Sequence, residues 1–77
     1  MPQLAEDSAT QMVRLLVDML PPAQRAVIRY RYGFWNGRWH TIAQTCDHLH
    51  LSRLIVERLE MAAVHRLQAF FGIDVNA

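Results

Sequence analysis

The sequence predicts an all-α fold, a four-helix domain containing a helix-turn-helix. Three observations predict it. Apolar residues recur at three- and four-residue steps in separate segments, and no run of β-branched residues alternates with period two. Helix-start signals stand at the head of the segments, at Ser8, Pro22, Thr41 and Ser52. Breakers divide them at Pro21-Pro22, at Gly33 through Gly37 with the turn dipeptide Asn36-Gly37, and at Gly72. With 77 residues the chain is expected to form one domain, its core spanning about residues 8–70.

The first helix is expected to start at Ser8, where Ser8-Ala9-Thr10-Gln11 fits a capping box. Met12, Leu16 and Met19 line one face, with Val13, Val17 and Leu20 beside it, at the spacing of a buried stripe. Pro21-Pro22 stops this helix, and Pro22 can open the second, where a missing N–H is harmless. Val27, Ile28, Tyr30 and Tyr32 form the apolar side of the second helix, flanked by Arg25, Arg29 and Arg31. Gly33 is placed to end it in a left-handed conformation. Thr41-Ile42-Ala43-Gln44 is a second capping box opening a short third helix, about residues 41–48. Ser52 caps a longer fourth helix, about 52–70, in which Val56, Leu59, Ala63, Leu67 and Phe70 recur at helical steps. A short helix, a tight turn and a longer amphipathic helix make a helix-turn-helix pattern, with His50 where the turn often has Gly. Val27, Ile28, Leu49, Leu51, Val56, Leu59 and Leu67 are the expected core.

Composition narrows the function. An apolar share of 52% excludes a disordered tail, and a domain this small has no room for a multi-step catalytic architecture. The net charge is +1, but all eight basic residues are Arg, whose planar forks suit phosphates, carboxylates and base edges. The single cysteine, Cys46, allows no internal disulfide and implies no oxidising compartment. The N-terminus lacks the basic start and apolar stretch of a signal peptide. The stretch from Leu15 to Leu20 is broken by Asp18 and far too short to span a bilayer. A soluble cytoplasmic protein without a membrane partner is expected. No Gly-rich phosphate loop, paired-carboxylate constellation or HExxH is present, so no enzyme is expected.

The segment from Leu20 to Gly33, Leu-Pro-Pro-Ala-Gln-Arg-Ala-Val-Ile-Arg-Tyr-Arg-Tyr-Gly, resembles the start of region four of bacterial sigma factors. Thr41-Ile42, Leu49-x-Leu51-Ser52-Arg53, Val56-x-x-Leu59-Glu60 and Ala63-Val64-x-x-Leu67 follow at the family's spacing, and Asp7-Ser8-Ala9-Thr10 resembles its lead-in. The resemblance covers about residues 7–70 without a gap. It implies a four-helix DNA-binding domain that reads double-stranded promoter DNA with its recognition helix and docks on the RNA polymerase core. It also implies that this chain is not a complete sigma factor.

Departures from the family pattern fall on the recognition helix. Arg53 stands where the family has a DNA-contacting Arg, but Leu54 replaces a Glu, Ile55 and Glu57 replace Args, and Arg58 replaces a Gln. With the Glu lost at 54 and the Arg gained at 58 included, the start of the helix carries one net positive charge fewer than the family pattern, so the family's promoter preference does not carry over. DNA affinity as a lone monomer is expected to be weak, with a second subunit or polymerase docking making up the difference.

The residues expected at DNA are Thr41, Ser52, Arg53, Arg58 and Arg38. The plainer alternative for the Arg residues is a solvated helix face with Glu57 and Glu60 as partners. In the fold the resemblance implies, Leu54, Ile55 and Met61 project outward, favouring a protein contact over burial or thymine methyl contacts. Phe70 and Phe71, with Ile73 and Val75, extend the last helix into an apolar tail suited to a homodimer. Trp35 and Trp39 bracket the loop before the helix-turn-helix, with Trp39 expected to cap the core. Cys46 is expected as a small inert core residue. Cys46, His48 and His50 lack a clear fourth ligand, so neither a metal nor any other cofactor is expected. Two functions remain open: a regulator acting on promoter DNA, RNA polymerase or both, and a helix-turn-helix-derived module that binds a protein without sequence-specific DNA binding.

Overall fold

Among the described residues four helices follow one another: α1 (Ser8–Asp18), α2 (Pro22–Tyr32), α3 (Ile42–Leu49) and α4 (Arg53–Phe70). The structure is a computed structural model that describes residues 8–34 and 37–72, and no strand occurs among them. Trp35, Asn36, Ile73 and Val75 lie outside the described residues.

Local chemistry sets the helix limits. Pro22 lies in the first turn of α2 behind Pro21, where a helix has unpaired N–H groups in any case. Gly33 closes α2 in the left-handed region at φ 76°, its N–H donating to the Arg29 carbonyl. Both halves of the Thr41 capping box form: Thr41 Oγ1 accepts from the Gln44 N–H at 3.0 Å, and Gln44 Oε1 accepts from the Thr41 N–H at 2.9 Å. His50 occupies the left-handed region at φ 57°, doing the work expected of glycine, and its N–H donates to the Cys46 carbonyl. The Leu51 N–H donates to the same carbonyl at 3.1 Å. Ser52 Oγ then accepts from the Ile55 N–H at 3.2 Å and starts α4. The box expected at Ser8 does not sit at an N-cap, because Ser8 is itself helical and an N-cap is not.

Val17, Leu20, Ile28 and Ala63 form the core cluster, with Val13, Tyr32, Phe34 and Leu67 packed on it. Val27, Val56 and Thr45 are also buried, and α2 and α4 make the most extensive helix contact. Of the expected core, Val27, Ile28 and Val56 are buried, whereas Leu49, Leu51, Leu59 and Leu67 are half-buried. The stripe expected on α1 is turned. Val13, Val17 and Leu20 face the core, while Met12 and Met19 are exposed together with Leu15. Apolar residues surround most of α1, so spacing alone allowed either face. Cys46 is half-buried; its neighbour Thr45 is the small, wholly buried residue, its Oγ1 donating to the Thr41 carbonyl at 2.8 Å. That back-bond to the preceding turn lets a hydroxyl be buried without losing a partner.

Four Arg side chains serve the fold. Arg29 pairs with Asp18, and Arg25 Nη1 donates to the Asp18 carbonyl at 3.1 Å, tying α2 to the end of α1. Arg14 Nη1 donates to the Phe34 carbonyl at 3.1 Å. Arg31 Nη1 meets Glu60 Oε2 at 2.9 Å, and the Tyr32 hydroxyl donates to the same carboxylate, tying α2 to α4.

Burial, reinforced by that hydrogen bond and by the Glu60 charge, raises the Tyr32 pKa above its ordinary value, against the opposing pull of Arg31. The neutral phenol is therefore the form that the fold favours. A raised folded-state pKa contributes stability that is fully present below the unfolded value, about 10, and is lost as pH rises through the folded value. Tyr32→Phe should cost about 1 kcal/mol at neutral pH. The gap between wild type and variant should narrow above pH ~10 in urea titrations; a gap constant into alkali would contradict this role for the phenol.

Candidate nucleic-acid interface

α3, the turn at His50 and α4 form a helix-turn-helix, with α3 packed on α4. Val56 and Ala63 turn the inner side of α4 into the core. This leaves Arg53, Leu54, Ile55, Glu57, Arg58 and Met61 exposed on the outer side. Ser52 and Thr41, the N-caps of α4 and α3, are exposed too, as is Arg38 ahead of α3. Of the residues expected at DNA, Ser52, Arg53 and Arg58 thus share the start of α4, and Thr41 and Arg38 belong to the approach to α3.

Two Arg residues on the outer face have different surroundings. Arg53 Nε donates to Glu57 Oε2 at 3.0 Å across one helical turn. Arg58 forms no hydrogen bond or ion pair among the described residues. Glu60, the other acid weighed as a surface partner, is turned inward to Arg31 and Tyr32.

Leu54, Ile55 and Met61 are exposed as expected, Met61 at 64%. Together with Glu57, Glu60, Val64, His65 and Gln68, Met61 lines a shallow groove on α4. Phe70 and Phe71 are about half exposed at the end of α4.

Trp39 is not a core cap. It is 74% exposed, its ring meeting Tyr32 edge-on at 5.3 Å. The core beneath is already closed by Tyr32 and Phe34, so the indole is left outside. The Tyr30 ring lies instead between two imidazoles, His40 at 3.9 Å and His48 at 4.0 Å, both nearly parallel to it. His40 Nδ1 also lies 2.7 Å from the Tyr30 carbonyl oxygen. This stack fastens the loop and α3 to α2. Spacing along the chain gave no hint of it, since the three rings come from three different segments. No group of three or more His, Cys, Asp or Glu side chains suited to a metal occurs among the described residues.

Sequence reasoning also missed the exposed stripe on α1, Met12, Leu15 and Met19, the last at 66%. The only signal was that α1 carries more apolar residues than one buried face can use. None of the described helices is long and apolar enough to cross a membrane.

Comparison with known proteins agrees with this geometry. The family description "Sigma-70, region 4" matches residues 16–69. The chain is 33% identical over 69 residues to the RNA polymerase principal sigma factor HrdC of Streptomyces coelicolor, an alignment covering 88% of this chain and 20% of that protein. The chain thus spans about one fifth of the length of the curated relative it matches. No solved structure matches it. Neither comparison lends support to a homodimer through Leu54, Met61 and the C-terminal aromatics. A family match across most of the helical core, on a helix-turn-helix with its caps in place, leads to one assignment: the chain belongs to the sigma-70 region 4 family.

Proposed function

We propose that the chain binds promoter DNA by laying the first turns of α4 in the major groove, and that it docks on RNA polymerase through exposed apolar side chains. The carrying observation is the division of α4. Val56 and Ala63 hold its inner side in the core, while Ser52, Arg53, Leu54, Ile55 and Arg58 stand clear at its N-terminal end. A recognition helix reads base edges from its N-terminal residues. Thr41 and Arg38 lie at the approach to α3, where a backbone phosphate could receive them. The name of the S. coelicolor relative supports the polymerase half of this reading. Such a role places the chain in the cytoplasm.

A second reading has its own observation. Met61, Phe70 and Phe71 add exposed apolar surface along α4 beyond the turns that would enter a groove. A helix-turn-helix that kept its scaffold but bound only protein would use this surface.

Fluorescence anisotropy on duplex DNA at low salt, set beside pull-down with core polymerase, separates the two. Arg53→Ala with Arg58→Ala should weaken duplex binding and flatten the dependence on log salt by one to about two units. Met61→Ser with Phe70→Ser, outside the turns that enter the groove, should weaken the protein contact and leave duplex binding nearly intact. If the Arg pair leaves duplex binding untouched while the Met/Phe pair abolishes polymerase capture, the protein module is the correct reading.

A further inference from the structure

Residues three and four apart are the neighbours on a helix surface. Around Arg58 these are Leu54, Ile55, Met61 and Ala62, all apolar. Leu54, Ile55 and Met61 are exposed, so Arg58 stands as an unpartnered cation in an apolar setting. Arg53 stands beside an acid, and the 3.0 Å contact from its Nε to Glu57 occupies one edge of its guanidinium. Any phosphate or base edge must compete with Glu57 for Arg53, and Glu57 itself repels phosphate. No such competitor faces Arg58.

We infer that α4 reads duplex DNA through Arg58 and its apolar neighbours Leu54 and Ile55, and that Glu57 withdraws Arg53 from that reading. The inference rests on the DNA reading above and deepens it by naming what is recognised. An unpaired guanidinium fork matches O6 and N7 of guanine, and apolar side chains match the C5-methyl of thymine. Arg58 lies within one turn of both Leu54 and Ile55, so all three can meet adjacent base steps in one groove. The target is duplex DNA with a guanine beside thymine. An acidic protein surface would suit a lone Arg as well, but the placement of this patch at the start of a helix-turn-helix second helix favours the groove.

The experiment uses the wild-type chain to select duplexes from a randomised library, then re-measures the selected duplexes with single-atom-group replacements. Replacing guanine by 7-deazaguanine removes N7, and replacing thymine by deoxyuracil removes the methyl; each should weaken wild-type binding roughly five- to tenfold. Arg58→Ala should bind more weakly and lose its sensitivity to 7-deazaguanine. Leu54→Ser with Ile55→Ser should lose sensitivity to deoxyuracil. Glu57→Gln should tighten binding to unselected duplex about fivefold and steepen the salt dependence by about one unit, as Arg53 becomes available to phosphate. That gain should fall below about twofold in an Arg53→Ala background, as expected for a coupled pair. All five positions are exposed, and circular dichroism verifies that each variant is folded. Duplex binding that is indifferent to both base replacements, or equally sensitive in Arg58→Ala, overturns this inference and leaves the DNA reading standing. A Glu57→Gln gain that is absent, or unchanged by Arg53→Ala, overturns the role given to Glu57. Failure of the wild-type chain to bind any duplex at low salt, with capture of an acidic protein surface through Arg58 instead, overturns both.

Discussion

Val56→Asp should leave the chain unfolded at 25 °C. Val56 has no exposed surface, and it lies on the inner side of α4 where that helix meets the rest of the domain. Substitution forfeits about 1.5–3 kcal/mol of apolar burial. It also places a carboxylate where water cannot reach, which costs several kcal/mol more unless the group is protonated or the structure opens. A chain of 77 residues has roughly 4–11 kcal/mol of stability in total. The combined loss consumes most or all of that. Far-UV circular dichroism and thermal melting check it, with Val56→Ala as the graded control that removes methyl groups without adding charge. The control should stay folded with a lower Tm. A cooperative, unshifted melt for Val56→Asp would mean that α4 does not pack on this side.

Gly33→Val should lower the Tm by roughly 10–20 °C. Gly33 lies at φ 76°, a region that costs a side-chain-bearing residue about 1–2 kcal/mol. Space is the second penalty. A Cβ there would meet the Arg38 backbone nitrogen and oxygen at 3.0 Å, and backbone cannot swing away as a side-chain tip can. The exit of α2 is thereby forced away from the strand of chain that leads into α3. Gly37→Ala is the matched control: its φ is 75°, but nothing lies within 4 Å of its Cβ position. It should show the conformational penalty alone, a drop of roughly 5–10 °C. Equal losses at the two glycines would mean that the close approach of Arg38 contributes nothing.

Both predictions draw on features of different legibility. The left-handed close at Gly33, the capping box at Thr41 and Gln44, the Ser52 cap and the Pro22 start were all readable, because each depends on residues within a few positions of one another. The burial of Val27, Ile28 and Val56 was readable from helical spacing. The approach of Arg38 to Gly33 was not, since it depends on how the loop folds back on the helix end. The outward projection of Leu54, Ile55 and Met61 was implied by the family resemblance, and the structure leaves all three exposed. Whether Arg53 or Arg58 stood free could not be read, because Glu57 and Glu60 were equally near in sequence; Glu57 turned to Arg53, and Glu60 turned inward to α2.

The sequence by itself determined the limits of α2, the starts of α3 and α4, the helix-turn-helix and the family, but not the start of α1. These rest on local energies: caps, the fixed φ of proline, the freedom of glycine and the 3.6-residue period. Only the tertiary structure decided which of two apolar faces of α1 was buried, that Trp39 stood outside while Thr45 rather than Cys46 was enclosed, and that Tyr30 was clasped between His40 and His48. Those outcomes depend on side chains from separate helices competing for one small volume. A core formed by four short helices has room for Val13, Val17 and Leu20 from α1 but not also for Met12, Leu15 and Met19, and packing rather than hydrophobicity chose between them.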